Sequence, residues 1–187
     1  MSYVCTNAQQ TIDSYYTSYF GKEKSIQASK NSNGIYNVWI DVAGEYDKDD
    51  VSIGIEGEDI PAFINALHQI KQKYAEWDNV AKQNNVKKIS KDFEITFPRV
   101  TVAWYGSKWF FAFKHILSPR FMVLESTGSS YIVFSDKVQA SSNEYIDQKY
   151  YLVFSSVNEV NDLISKISPD SIKAKMEQKN SQADLFK

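Results

Sequence analysis

One arrangement of strands and a helix occurs twice along this chain. In the first copy, apolar and polar residues alternate over 35–43 and 51–56, and an amphipathic helix follows over 60–83. In the second copy, a strand ending at Phe154 leads into a helix over 156–167, whose start carries the capping box Ser156-Val-Asn-Glu159. We therefore expect an α+β fold of mainly antiparallel, twisted sheets, in two related halves that are each closed by an amphipathic helix.

The order of these signals divides the chain into segments. The first half covers 9–83, a linker with Asn84-Asn85 and three lysines covers 84–92, and the second half covers 93–168. The tail over 169–187 is expected to be a frayed helix or disordered. A chain of 187 residues with 43% hydrophobic residues can bury one sizeable core or two smaller ones that share a face.

The second half begins with an aromatic hairpin. Pro98-Arg99 interrupts a long alternating run, which indicates a β-bulge. Gly106-Ser107 is typical of a two-residue type II′ turn, because glycine stands first. This turn fixes the predicted register. It places three pairs on the core face, which are Trp104 with Trp109, Val102 with Phe111, and Val100 with Phe113, and it leaves Tyr105 and Phe110 outside the core.

The charge is nearly balanced overall but uneven along the chain. A formal net charge of −2 gives no general attraction to nucleic acid or to an anionic membrane. Residues 41–59 nevertheless carry a net charge of −7, and residues 82–120 carry +6. We interpret these segments as solvated loops and helix ends. The alternative is that the two charged segments face each other, either within the fold or across an oligomer.

The residue types needed for catalysis or metal binding do not occur at the usual spacings. Cys5 is the only cysteine, and His68 and His115 have no second histidine at ligand spacing, so we interpret both histidines as structural. The run Asp47–Asp50 lacks the later glycine and glutamate of a calcium loop. The sequence predicts no enzyme, no cofactor and no metal, although a carboxylate pair brought together by folding remains an open alternative.

Two features are candidates for ligand binding. Trp39 lies on the polar face of its strand, where it can cover Gly54, pack against the other half, or contact a ligand. The aromatic and basic run 99–120 is the one feature that resembles a platform for single-stranded nucleic acid, with aromatic rings for bases and cations for phosphates. The predicted ligand-binding residues are Trp39, Tyr105, Lys108, Phe110 and Lys114.

The first eight residues resemble the end of a secretory signal peptide. A short apolar piece is followed by small or polar residues, and Ala8 stands at a plausible cleavage position, although the basic start and full apolar stretch are missing from 1–8. No stretch is long and apolar enough to predict a membrane span. We expect a periplasmic or secreted protein, with a cytoplasmic location as the alternative.

Two strand-rich units that each end in a helix resemble the duplicated β-β-β-β-α units of the Whirly and PUR-type single-strand-binding proteins. The resemblance covers about residues 24–167 and concerns the layout alone, so it implies a fold and no site residues. The sequence predicts a non-enzymatic binding or interaction protein for an unknown protein or surface ligand. The alternative is a cytoplasmic protein that binds single-stranded nucleic acid.

Overall fold

The computed structural model describes residues 9–45 and 50–184, without the side chains of 180 and 182–184. Most of the described residues lie in ten strands and three helices, and a short 3₁₀ turn over Gly57–Asp59 precedes the first helix. The strands are β1 (Gln10–Thr17), β2 (Lys22–Lys30), β3 (Tyr36–Gly44), β4 (Val51–Ile55), β5 (Ile89–Asp92), β6 (Val100–Tyr105), β7 (Trp109–His115), β8 (Pro119–Val123), β9 (Ser130–Ala140) and β10 (Asn143–Phe154). The helices are α1 (Ile60–Gln83), α2 (Val157–Ile167) and α3 (Pro169–Asp184). The predicted α+β class is confirmed.

The strands form one large antiparallel sheet with two parts. In the first part the strand order is β1-β2-β3-β4-β6-β7, and in the second it is β5-β8-β9-β10. The parts join where Tyr150 and Tyr151 of β10 pair with Gly44 and Ala43 at the end of β3. Because β4 pairs with β6, the hairpin β6–β7 extends the sheet begun by the first four strands. That the chain consists of two related halves, each closed by its own helix, remains a prediction.

A single hydrophobic core lies between the sheet and the helices. The apolar stripe predicted for α1 is buried, with Phe63, Leu67 and Ile70 fully enclosed. In α2, Val160, Leu163 and Ile167 are equally buried. The tail expected to be a frayed helix or disordered forms helix α3 through Asp184, and this helix adds Ile172 and Met176 to the same cluster. Two buried apolar side chains one turn apart explain why this polar helix docks.

The predicted capping box of α2 is half confirmed. The Ser156 side chain accepts a hydrogen bond from the Glu159 amide at 3.3 Å, as expected for an N-cap serine. The Glu159 carboxylate does not return to Ser156. It accepts hydrogen bonds from the Ser155 amide, at 2.8 Å, and from the backbone amide and hydroxyl of Ser18. The carboxylate thereby ties the start of α2 to the turn between β1 and β2.

Residues 84–99 differ in part from the prediction. The last four residues of the predicted linker form β5, which pairs with β8. No strand forms over 93–99, although Phe93 and Phe97 are buried as the alternation indicated. The bulge predicted at Pro98-Arg99 lies instead in β7, where Phe113 and Lys114 together face the single residue Thr101 of β6. Proline lacks an amide hydrogen to donate to a strand partner, so the approach to β6 runs beside the core without joining the sheet.

The predicted register of the hairpin β6–β7 is wrong by one residue. Its turn contains Gly106, Ser107 and Lys108, and Gly106 does not have the positive φ that a type II′ turn requires. Tyr105 therefore pairs with Trp109, Trp104 with Phe110, and Val102 with Ala112. Because side chains alternate between the faces of a strand, this shift exchanges the buried and exposed residues of β7.

Candidate interaction surface

The hairpin β6–β7 places aromatic side chains on the face of the sheet that points away from the core. Phe110 and Ala112 are buried with Trp104, so the alternate positions of β7 face outwards. Tyr105 of β6 lies on the same face. We call these four outward side chains the outer aromatic surface: Tyr105, Trp109, Phe111 and Phe113.

Three of the four rings are about half accessible to solvent. Tyr105 is 51% exposed, Trp109 is 52% exposed and Phe113 is 60% exposed. The rings of Tyr105 and Trp109 meet edge to face at 5.6 Å, and those of Phe111 and Phe113 stack at 5.7 Å. An exposed cluster of large aromatic side chains is uncommon on a monomer surface and is typical of a contact surface.

The same face continues over the neighbouring strands with small and polar residues. Ser52 and Ala103 pair across β4 and β6 and are almost inaccessible. Farther along, Asp41 of β3 accepts hydrogen bonds from the Ser52 hydroxyl at 2.7 Å and from the Gln27 amide at 3.3 Å. These contacts link the Asp41 carboxylate to β2 and β4, so a polar area lies on the same face as the exposed aromatic rings.

Trp39 lies on this face but is not part of the exposed cluster. Its ring covers Gly54, because a Cβ atom at Gly54 would be only 2.6 Å from the ring carbon Cζ3. Trp39 and Gly54 are directly paired across β3 and β4. The structure therefore shows the alternative in which the Trp39 ring covers the backbone of Gly54.

Charged residues flank the outer aromatic surface at both of its ends. At one end, the exposed Asp50 precedes β4, and its carbonyl oxygen accepts a hydrogen bond from the Tyr105 amide at 2.9 Å. At the other end, the Arg99 guanidinium donates to the carbonyl oxygen of Lys114 at 3.0 Å. Lys108 lies in the turn, over the ring of the buried Phe110. Among the described residues, no carboxylate is within ion-pair distance of these three bases: Arg99, Lys108 and Lys114.

The free edge of β7 is partly closed by the turn between β9 and β10. The Ser141 amide donates to the carbonyl oxygen of Phe111 at 2.8 Å, and the Ser141 hydroxyl accepts from the Phe113 amide at 3.0 Å. These bonds satisfy two of the backbone groups that an added strand would need. The side chains of β7 are therefore better placed for contact than its backbone.

A polar cleft of about 630 Å³ adjoins the basic end of this surface, between β7 and β9. Within it, His115 Nε2 lies 2.9 Å from the buried Tyr150 hydroxyl and 3.8 Å from the Asp136 carboxylate. Burial lowers the pKa of His115, and Asp136 partly opposes that effect. Burial also raises the pKa of the Tyr150 hydroxyl. A neutral His115 can share this hydrogen bond with a neutral Tyr150, and the bond links β7 to β10.

A second cleft, of about 550 Å³, lies between α1 and the segment that follows β5. Trp77 stacks on Phe93 at 5.0 Å, and the ammonium groups of Lys91 and Lys73 lie 4.4 and 5.7 Å from the Trp77 ring. Each of these groups already has a partner within the fold. The cleft therefore offers a less available aromatic surface than β7 does.

The described residues contain no cluster of three or more histidine, cysteine or acidic side chains suited to a metal ion. No described helix combines the length and the apolar character that crossing a membrane requires. Residues 46–49, in the predicted acidic loop, and residues 1–8, in the predicted signal remnant, lie outside the described part of the chain.

The structure brings together some of the predicted ligand-binding residues and separates others. Tyr105 is exposed on the outer aromatic surface, and the exposed Lys108 and Lys114 lie at opposite ends of β7. Phe110 is only 7% exposed, so the prediction that it could stack on a ligand is wrong. Sequence reasoning missed Trp109 and Phe113 as surface residues, because the assumed two-residue turn assigned them to the core.

Comparisons with protein-family models, with curated proteins and with solved structures found no match to this chain. The resemblance in layout to the Whirly and PUR-type proteins thus receives no support from a matching structure. The surface chemistry of the chain itself is the basis for any statement about function.

Proposed function

We propose that this chain is a non-enzymatic binding protein whose outer aromatic surface contacts a macromolecular partner. The observation that carries the proposal is the exposure of Tyr105, Trp109 and Phe113 on one face of a well-packed sheet. Burying three half-exposed aromatic side chains would remove roughly 300 Å² of apolar surface from water, at about 100 Å² for each ring. At about 25 cal/mol per Å², this is a gross stabilisation of roughly 7 kcal/mol before the costs of association.

The rigidity of the surface supports the same proposal. The rings are carried on strands whose opposite face is fixed in the core by Trp104, Phe110 and Val102. A partner therefore meets aromatic groups whose backbone is already ordered, and less conformational entropy is lost on binding. This separates the outer aromatic surface from exposed aromatic residues in turns, such as Tyr19 between β1 and β2.

We also propose that the protein is exported and that a signal sequence ending at Ala8 is removed. The support is the resemblance of residues 1–8 to the end of a signal peptide. Mass analysis of the protein from its native host tests this part separately. A mature chain that begins at Gln9 is expected, whereas a soluble cytoplasmic product that retains Met1 would remove the export proposal.

Site-specific photo-crosslinking in the native host tests the binding proposal. A photoreactive phenylalanine analogue replaces Trp109 in one variant and Val80 in the control, because Val80 is equally exposed on α1. We expect a discrete crosslinked product from position 109 and not from position 80. Equal crosslinking from both positions, or none from position 109, would contradict the proposal.

A second candidate function is binding of single-stranded nucleic acid. It is favoured by the exposed rings of Tyr105 and Trp109, which lie beside Lys108 in the turn of the hairpin. Against it stands the acidic residue Asp50 at the same end of the surface, together with a net charge of −7 over 41–59. A phosphate backbone that lies along the surface would meet repulsion there.

A titration with a mixed-sequence oligonucleotide decides between these candidates. A single-strand binder loses affinity with added salt as about 0.7 counterion is released for each neutralised phosphate. It also loses about 1 to 3 kcal/mol for each stacking ring removed, as in Tyr105→Ala or Trp109→Ala. We expect no measurable binding at low salt. Micromolar binding that shows both losses would replace the first candidate by the second.

A further inference from the structure

We infer that the outer part of the hairpin β9–β10, residues 135–149, is a pH-sensitive flap that neutral His115 holds closed on β7 and that protonated His115 releases. We call residues 135–149 the flap. This switch is independent of the proposed function, because it acts on the backbone edge of β7 and not on the aromatic side chains of the outer face.

The flap extends beyond the neighbouring strands of its sheet. Strand β8 pairs with β9 only as far as Phe134, and β3 pairs with β10 at Tyr150 and Tyr151. Between these points the two strands of the flap pair with each other, and no third described strand pairs with them. The flap is therefore attached to the sheet at its base.

A small number of contacts holds the flap on β7. At its tip, the Ser141 amide donates to the carbonyl oxygen of Phe111 at 2.8 Å, and the Ser141 hydroxyl accepts from the Phe113 amide at 3.0 Å. Its buried side chains, Val138 and Ala140, are small. Opening the flap disrupts these few contacts and leaves the main core intact, so it costs less free energy than unfolding the chain.

A bulge in β7 directs His115 towards the base of the flap. Phe113 and Lys114 together face the single residue Thr101, and Lys114 has a φ of 57°. His115 is therefore paired with the buried Val100, and its side chain lies on the same face as that of Val100. Without the extra residue, the alternation of side chains would turn His115 to the opposite face.

The surroundings of His115 favour its neutral form. Nε2 lies 2.9 Å from the hydroxyl of the buried Tyr150 and 3.8 Å from the carboxylate of Asp136, and the His115 side chain is only 15% exposed. Burial lowers the pKa of His115, and the attraction of Asp136 opposes that effect only in part. A charged imidazolium is therefore more stable where water reaches it, which requires the flap to move away.

The other charged groups around the cleft do not compensate a charged His115. Lys137 and Asp147 of the flap form an ion pair with each other at 2.9 Å. On the side of β7 the neighbouring charged residues are both bases, since the Arg99 guanidinium donates to the carbonyl oxygen of Lys114. Asp136 is thus the carboxylate that can partly stabilise the imidazolium in the closed form.

The pH range of the switch follows from the two forms of the flap. In the open form His115 reaches water and has a pKa of about 6.5, whereas in the closed form its pKa is lower. The closed form is therefore fully stable above about pH 6.5. Below that pH it becomes less favoured, by up to about tenfold per pH unit for one proton. Release of Ser141 then frees the edge of β7 for an added strand.

Hydrogen exchange followed by NMR between about pH 7.5 and 5.5 tests the switch. The amides of Ser141 and Phe113 report on the flap, because each donates one of the two bonds at its tip. The amide of Ile40 reports on global unfolding, since β3 is paired on both sides at this residue. His115→Gln removes the titrating group, and His68→Gln, at an exposed histidine of α1, is the matched control.

The rates are first corrected for the intrinsic pH dependence of exchange. We expect the Ser141 and Phe113 amides to be at least about tenfold less protected than the Ile40 amide at every pH. In the wild-type chain and in His68→Gln, their protection should decrease by about three- to tenfold from about pH 7.5 to 5.5. In His115→Gln this decrease should disappear.

Three results would overturn the inference. Protection of the Ser141 and Phe113 amides equal to that of Ile40 would show that the flap opens only when the whole chain unfolds. An absence of any decrease in the wild-type chain would show that protonation does not release the flap. A decrease of the same size in His115→Gln would assign the pH dependence to another group.

Discussion

The indole ring of Trp39 lies on the backbone of Gly54, at a distance that leaves no space for a methyl group between them. The two residues are direct neighbours on β3 and β4, so the glycine is required by the ring and not by its own backbone conformation. Their contact closes the middle of the outer face and keeps water from the strand backbone.

The contact predicts that Gly54→Ala lowers the free energy of unfolding only while Trp39 is present. Overpacking against the ring is expected to cost about 1 to 3 kcal/mol of unfolding free energy in the wild-type background. In a Trp39→Ala background the same change is expected to cost less than about 0.5 kcal/mol. Urea denaturation of the four proteins of this double-mutant cycle gives the coupling. Equal costs in the two backgrounds would show that the ring does not rest on Gly54.

The buried stripes of the two amphipathic helices carry a second prediction. Leu67 of α1 and Leu163 of α2 are both fully buried. Replacing either by alanine leaves a cavity and is expected to cost about 2 to 5 kcal/mol. The exposed Val80→Ala change in α1 serves as a control and is expected to cost less than about 0.5 kcal/mol. Losses below that value for both leucines would contradict the assignment of these helix faces to the core.

The partly buried His115, which is hydrogen-bonded to the buried Tyr150, makes stability dependent on pH. Because burial lowers the pKa of His115 in the folded chain, the unfolded chain binds more protons below its own histidine pKa of about 6.5. Stability is therefore complete above that pH and decreases as the pH falls below it, by at most about 1.4 kcal/mol per pH unit for one proton.

The variant His115→Gln can keep a hydrogen bond to Tyr150 but does not titrate. The difference in unfolding free energy between wild type and variant should change between about pH 7.5 and 5.5, with the wild type losing more. His68 is exposed and common to both proteins, so it cancels from the difference. Parallel curves over this range would mean that His115 titrates as it does in the unfolded chain.

Much of the fold could be predicted because its signals are local. The limits of α1 follow from the apolar stripe that begins at Ile60, and the cap at Ser156 marks the start of α2. Strands β3 and β4 lie close to the predicted ranges 35–43 and 51–56, because alternation and turn residues bound them. The pairing of β4 with β6 joins distant segments, and the local pattern carries no information about it.

The surface residues were harder to predict, because β7 is aromatic at successive positions. Phe110 and Trp109 are adjacent, and either one could face the core on hydrophobicity alone. Which of the two faces the core depends on whether the turn contains two residues or three, and Gly106-Ser107 is typical of a two-residue turn. The structure places Lys108 in the turn as well. Since the side-chain period is two, this single residue moved Trp109 and Phe113 from the core to the surface.

The proposed function depends on that register, so its most direct test compares two adjacent residues of β7. Urea denaturation of Phe110→Ala and Trp109→Ala, at a concentration where the chain is monomeric, measures which ring is in the core. We expect Phe110→Ala to cost about 3 to 5 kcal/mol and Trp109→Ala to cost less than about 1 kcal/mol. The opposite order, with Trp109 as the costly residue, would show that the outer aromatic surface does not exist and would contradict the binding proposal.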